Sequence, residues 1–406
     1  MKVLDPLVKK YILLAHRLER HHRGVVDAHY GFASEVKLQV ESEPIVSLNA
    51  LHSSAEFILG ELESNQEPRA RYLYKQTLAL KTIIEKKLGA DITYRDEARL
   101  MLGIETISKQ EEAPLHEAMD ELDALLEGSG LLTERYTAWR RKFELRGEEV
   151  MKFTNAAMEQ MKEKSHSLFP LPENSISVSL VRNKPWTGYH WYKGNFTSLY
   201  ELNVDVPTTI WGVLHTTTHE AFCGHHTEAI IREQELVNQC GYVEFTLNIL
   251  GAPCSLLSEG LAEAAAEIVI GNDEAVAQWL QENELLHKRP FTERDGKILA
   301  AIEKLGRKAV INAALLMHEE NATDQAVVNY LAEFSPNDEV MLRRTVARLR
   351  DADYRTYMLT YPIGKELVLQ KINASASSPQ EAFFNLCRSV DVSFDSADTR
   401  SAYAFK

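Results

Sequence analysis

His215-Thr216-Thr217-Thr218-His219-Glu220-Ala221-Phe222-Cys223-Gly224-His225-His226 holds four of the chain's 14 histidines in one short run. A His-Glu dipeptide alone says little, because the chain has three: His116-Glu117, His219-Glu220 and His318-Glu319. Only the middle one is followed by further histidines within two turns, which makes metal binding the leading reading. Immediately upstream the pattern has a period of two. Ser175-Ile176-Ser177-Val178-Ser179-Leu180 alternates polar and apolar residues, as a half-buried strand does. Tyr200, Leu202 and Val204 alternate with Glu201, Asn203 and Asp205, and Lys193-Gly194-Asn195 supplies turn chemistry, so 189–192 and 196–204 are expected to form a hairpin. Pro207, with Asp205 close enough to cap, is expected to open the helix that carries the histidines.

The rest reads as helix. Leu132, Tyr136, Trp139, Phe143, Val150, Phe153, Ala157 and Met161 recur at helical steps, the stripe of one long amphipathic helix. The segment from 256 to about 385 is helical in pattern as well. Breakers stand at Gly128-Ser129-Gly130 and at Phe169-Pro170-Leu171-Pro172. The second divides the chain into a helical region, 1–170, and a region, 171–406, that holds the sheet and the histidines. The expected class is mainly α with a small antiparallel β-sheet (α+β).

The histidine run does not fit the HExxH template, in which two imidazoles one turn apart share a face beside a glutamate. On an ideal helix His225, six positions after His219, would be rotated by ~240° and displaced by ~9 Å. His226 returns to the same face but lies ~10.5 Å along the axis, whereas two Zn–N bonds of ~2.1 Å span little more than ~4 Å. A regular helix fails for either choice. The segment Phe222-Cys223-Gly224 must therefore bulge or unwind, and Gly224 tolerates unusual backbone. A rival pair, His215 and His219 at i and i+4, needs no distortion, and residue types alone leave both open.

The string HEAFCGHH resembles the HExxPGHH signature of the bacterial family labelled domain of unknown function 885, whose members are read as gluzincin-like zinc metallopeptidases. Related peptidases share a His-Glu start and a Gly-His end with a variable insert, one residue in the thimet type, two in the dipeptidyl peptidase III type, and here three. The resemblance implies a zincin-like helical architecture, His219 and His225 as ligands of Zn2+, and Glu220 as general base. Ser258-Glu259-Gly260-Leu261-Ala262-Glu263 is similar to the family's EGWA segment, which implies Glu259 as the third ligand. The stretch Leu316-Met317-His318 and the run from Asp324 to Leu331 resemble a downstream helix. Thr360-Tyr361-Pro362-Ile363-Gly364-Lys365 is similar to a Tyr-x-x-Gly segment. The family's proline before Gly-His is Cys223 here, and its EGWA tryptophan is Leu261.

These residues have assignable roles. Glu220 can take a proton from an attacking water while zinc polarises the scissile carbonyl. Glu263 lies one turn after Glu259 and is a candidate acceptor for a ligand imidazole. Tyr361 is the resemblance-based candidate for a donor to the oxyanion, with His318 and His190 behind it. His215 and His226 are open between site and core roles, and Cys223 between a zinc competitor and a buried, inert thiol. The strand 196–204 could receive a peptide at its edge or be paired on both sides. His16, His21 and His22 read as a solvated face. The function expected is hydrolysis of a peptide substrate by water activated at zinc. The alternatives are a metal-dependent hydrolase of a non-peptide amide or ester, and a non-catalytic helical protein with a structural metal.

Composition narrows the partners. Lys and Arg total 45 against 59 Asp and Glu, a formal charge of −14, which argues against nucleic acid or an anionic membrane surface. No apolar run approaches the ~20 residues of a membrane span. The charged N-terminal stretch does not read as a signal peptide, and the four cysteines include no CxxC pair, as suits a reducing compartment. A cytoplasmic location is the expectation.

Overall fold

The computed structural model describes residues 5–391 and 394, apart from 185, 206–207, 284–288 and 306–307. In chain order the first half runs α1 (Pro6–Glu19), β1 (Val26–His29), α2 (Gly31–Glu41), α3 (Leu48–Leu62), α4 (Pro68–Lys87), α5 (Tyr94–Glu97), α6 (Ala113–Leu125), α7 (Leu132–Arg141), β2 (Glu144–Leu145) and α8 (Glu148–Leu168). Next come β3 (Ser175–Val181), β4 (Gly188–Gly194), β5 (Thr197–Asn203), β6 (Thr208–Thr209), α9 (Ile210–Glu220), α10 (His225–Arg232), β7 (Leu247–Ile249) and α11 (Pro253–Val269). The chain ends with α12 (Asp273–Glu282), α13 (Glu293–Leu305), α14 (Lys308–His318), α15 (Asp324–Glu333), α16 (Glu339–Arg350), α17 (Thr360–Ala374) and α18 (Pro379–Cys387). The fold is mainly α with small sheets. Among the described residues, no helix is long and apolar enough to cross a membrane.

The long amphipathic helix expected over 132–161 is two helices. α7 stops at Arg141, and Gly147, in the left-handed region at φ 56°, precedes α8. Between them β2 pairs antiparallel with β6. The apolar stripe survives the break because both helices bury the same residues, Tyr136, Trp139, Phe153, Ala157 and Met161 among them. Periodicity reports a buried face, and a face can be continuous across two rods.

β5 is the central strand of a three-stranded sheet, ordered β3-β5-β4. It pairs antiparallel with β4 (Tyr189↔Glu201, His190↔Tyr200) and parallel with β3 (Val178↔Tyr200). The hairpin is present; this three-stranded sheet is mixed, while the two-stranded pairs β1-β7 and β2-β6 are antiparallel. The strand at 196–204, with both neighbours filled, has no edge to offer; β3 and β4 are the edge strands. Glu233 fastens the hairpin turn, its carboxylate accepting the N–H groups of Asn195 and Phe196 at 3.1 Å and the hydroxyl of Tyr192.

α9 begins at Ile210 and is capped by Thr209, whose Oγ1 accepts Gly212 N at 3.2 Å, so the cap expected at Asp205 is displaced along the chain. Asp205 instead accepts the backbone N–H of Asn183, and Pro207 lies outside the described residues. Trp211 at the start of α9 stacks on Trp139, ring centroids 4.7 Å apart, a contact of the kind worth ~0.5–1.5 kcal/mol beyond its buried area. α11 and α17 cross at two glycines: a Cβ on Gly260 would lie 2.3 Å from Gly364 O, and one on Gly364 2.6 Å from Leu256 O. One hydrophobic core runs from Val8 to Phe394, across the junction of α8 and β3 near residue 170.

Candidate metal centre

α9 stops at Glu220. Residues Ala221 to Gly224 turn the chain, the Phe222–Cys223 peptide is cis, and α10 starts at His225. Gly224 passes so close to the preceding turn that a Cβ there would lie 1.8 Å from His219 O. The break demanded by the spacing is therefore present, but glycine is needed for close approach rather than for a positive φ. The turn sets the rings of His219 and His225 edge-to-face, centroids 4.8 Å apart.

α11 brings Glu259 to the same point. Ligand atoms of His219, His225 and Glu259 all lie within 4.8 Å of one another and could hold a metal ion. Glu259 Oε2 is 3.2 Å from His219 Nε2, and Glu259 Oε1 is 3.7 Å from His225 Nε2. Ligand atoms around a tetrahedral zinc at ~2.1 Å stand ~3.4 Å apart, so these separations already suit a cation. Glu259 Oε2 is enclosed yet makes no hydrogen bond. An enclosed carboxylate oxygen without a donor is costly unless a cation answers it, and the residues fit a bound metal on that ground.

Neighbouring groups orient the three. Tyr357 donates to Glu259 Oε1 at 2.6 Å. Glu263 Oε1 is 3.4 Å from His219 Nδ1 and its Oε2 is 3.9 Å from His215 Nε2. Ser258 donates to Glu228 Oε2 at 2.5 Å and stands 3.2 Å from His225 Nδ1, while Arg232 Nε lies 2.9 Å from Glu228 Oε1. Such outer partners fix ring orientation and strengthen metal ligands. Burial alone disfavours a charged ring at His219, but the carboxylates of Glu259 and Glu263 beside it hold its pKa well above the usual value. Burial raises the Glu220 pKa. For Glu259 burial acts upward too, yet His219 and His225 bring the net shift below the ordinary carboxylate value.

Glu220 is buried in the wall of a cleft of about 1510 Å³ that also contains the three candidate ligands and Tyr361. Gly188 of β4 sits over it: a Cβ there would lie 3.1 Å from Glu220 Oε1 and 2.4 Å from Thr216 Cγ2. Six of the seven residues of β4, Gly188 to Lys193, belong to the cleft wall, as do Trp186 and Thr187 before them. The Tyr361 ring is 6.3 Å from that of His219.

The other sequence candidates separate cleanly. His318 lies away from the cleft wall, stacked on Tyr94, with Nε2 2.8 Å from Leu349 O. His215, on the i, i+4 rival pair, is half exposed and faces Glu263 rather than Glu259. His226 is fully buried among Ser198, Asn174 and Phe222, and burial lowers its pKa to about 3. Cys223 is fully buried, and burial pushes its thiol pKa up. Hydroxyls of Thr216 and Thr218 bond back to Gly212 O and His215 O. The opening histidines are no solvated face: His16 is 2% exposed and belongs to the cleft wall, and His21 Nε2 is 2.7 Å from Val46 O. Sequence reasoning missed Tyr357, four residues before Tyr361, and Glu228, three after His225. Both were findable by helical spacing once their neighbours were suspected.

No family model and no curated protein matches this chain. Among solved structures it is similar to a candidate lipoprotein from Colwellia psychrerythraea, with a TM-score of 0.51 at 16% identity over 91% of this chain and 66% of that one. A candidate lipoprotein of unknown function from Shewanella oneidensis gives 0.46 at 11% identity, over 91% and 72%. The M32 carboxypeptidase from Deinococcus radiodurans R1 gives 0.41 at 10% identity, over 98% and 94%. This chain thus spans just under two thirds of the Colwellia structure's length, and what the two share is the overall fold.

Proposed function

We propose that this protein is a zinc-dependent peptidase of the kind found in the domain of unknown function 885 family, with His219, His225 and Glu259 as metal ligands. The observation that carries the reading is the enclosed Oε2 of Glu259, without a hydrogen bond and 3.2 Å from His219 Nε2. Two imidazoles and one carboxylate are a donor set of hydrolytic zinc sites, which keep a position open, whereas structural sites are closed by four protein ligands. Among the described residues the group has three members. Zinc bound there would polarise a carbonyl and lower the pKa of water.

The chain's own residues supply the remaining chemistry. Glu220, next in sequence to His219 and in the cleft wall, accepts the proton of the attacking water and delivers it to the leaving amine. Tyr361 donates to the carbonyl oxygen as charge builds there. The edge of β4 away from β5, unpaired in the sheet among the described residues, offers main-chain hydrogen bonds to an extended peptide substrate.

The test is Glu220→Gln. The variant should keep the zinc content of the wild type while peptide turnover falls by about 10²–10⁴-fold, the usual worth of a general base. Full activity in that variant, or a wild-type chain that takes up no zinc, overturns the proposal.

A further inference from the structure

His190 stands on β4 in the cleft wall, its ring centroid 6.1 Å from that of His225. It is not a member of the metal-holding group, and it ends a file of hydrogen bonds that reaches it from Pro172 through Asn174, His226 and Ser198. The direction of that file follows from groups that can act in one way only.

Asn174 Nδ2 is 2.8 Å from Pro172 O and 3.1 Å from His166 Nε2. A carbonyl oxygen only accepts, so the amide nitrogen must face it and Oδ1 must face His226 Nε2, 3.3 Å away. Oδ1 also only accepts, which places the hydrogen of His226 on Nε2. The ring of His226 is fully buried and its nitrogens meet a serine and an amide, with no carboxylate to balance a charge. It is therefore neutral, and its Nδ1 is bare. Ser198 Oγ, 2.7 Å from that Nδ1, must spend its one hydrogen there. It is then an acceptor toward His190 Nε2, also 2.7 Å away, so His190 carries its hydrogen on Nε2. The ring of His190 packs against those of Tyr192, His225 and His226 and pairs with no carboxylate among the described residues, so it is neutral as well. Its Nδ1 makes no hydrogen bond to the described residues and is not enclosed by them.

We propose that His190 is a specificity-determining residue: the one-way file locks it as the Nε2–H tautomer, so that Nδ1 turns a lone pair to the cleft and accepts the N–H of a secondary-amide substrate. A neutral ring so fixed cannot donate to an oxyanion, which removes His190 from that role and leaves it to Tyr361. The same lone pair disfavours an ester, whose oxygen presents a second lone pair at the place of the N–H. The site would thereby select peptide bonds over esters and over N-alkylated amides. The substrate half of this inference rests on the hydrolase reading above; the tautomer half does not.

Two measurements separate the halves. Histidine-selective ¹⁵N spectra of the full chain, with His190 assigned by its loss in His190→Phe, should show protonated Nε2 and bare Nδ1. A hydrogen on Nδ1 overturns the proposal whatever the protein hydrolyses. For the zinc-loaded protein, inhibition by the phosphonamidate and the phosphonate analogues of one short peptide compares N–H with O at a single position. Wild type should favour the phosphonamidate by ~10-fold or more, the usual worth of a satisfied over an opposed acceptor. The preference should shrink to near unity in His190→Phe at unchanged zinc content. Ser198→Ala, which keeps the ring and removes the lock, should shrink it as well and redistribute the tautomers. An undiminished preference in both variants overturns the proposal. If neither analogue binds zinc-loaded wild type, the hydrolase reading fails and the substrate half falls with it, while the spectra still decide the tautomer.

Discussion

Two walls of one cleft each hold a pair of adjoining imidazoles, and their surroundings drive them to opposite states. His219 and His225 meet edge-to-face at 4.8 Å, His16 and His29 at 5.4 Å. The first pair is ringed by Glu259, Glu263 and Glu228. The second has Lys37, whose Nζ is 3.2 Å from His29 Nε2. Carboxylates hold positive charge on or between the first rings. Burial, then the neighbouring His29, lowers the pKa of His16 to about 4 and keeps that pair neutral. Ring geometry is nearly the same in both, so the second shell decides which pair can serve a cation.

The largest effect should come from erasing the carboxylate side of this contrast. Glu259→Gln should end stoichiometric zinc uptake and with it turnover, whereas His29→Gln should leave zinc content unchanged; equilibrium dialysis reads both, and equal zinc in the two variants would break the comparison. Tyr361→Phe tests whether only the acidic wall does chemistry. Removing one oxyanion donor should lower kcat by about 10²–10³-fold at constant zinc content, and an unchanged kcat would return Tyr361 to packing.

The neutral wall makes a prediction of opposite kind. His16 has a folded pKa near 4, below its ordinary 6.5, so between these values the unfolded chain binds the proton and the folded chain does not. Stability from this residue is intact above pH 6.5 and is lost as pH falls toward 4, by up to about 3 kcal/mol. Denaturant titrations of chelator-treated wild type and His16→Gln should diverge over that window and in that direction. Parallel pH profiles would show that His16 is not held neutral. The smallest effect is expected from Glu263→Gln, which removes an outer partner of His219. Zinc affinity should fall about 10-fold, and no change by chelator competition would confine the contrast to direct ligands.

Much of the candidate site was legible because metal chemistry constrains residue type and spacing together. His219, Glu220 and His225 could be named from a short run, and the same arithmetic required a break before Gly224. Glu259 came from resemblance to a family segment. The outer partners were less visible: Glu228 and Tyr357 are ordinary residues until a fold puts them beside a ligand. The misreading of α7 and α8 has a physical cause as well. An apolar stripe encodes which face is buried, and Gly147 interrupts the rod without interrupting the face.

The residue pattern by itself determined the mainly helical class, the hairpin before the histidine helix, and the need for a kink within it, because these follow from local periodicity and helix geometry. Only the tertiary structure decided that β5 is central and β4 an edge, that His16 is buried, and that His190 stands in the cleft wall with Nε2 against Ser198. Strand order, burial and the direction of a hydrogen-bond file depend on distant partners, such as Asn174 for His226, 52 positions away, and Thr246 for Ala33, 213 positions away. No local pattern carries that information, since it arises when distant segments compete for the same neighbours.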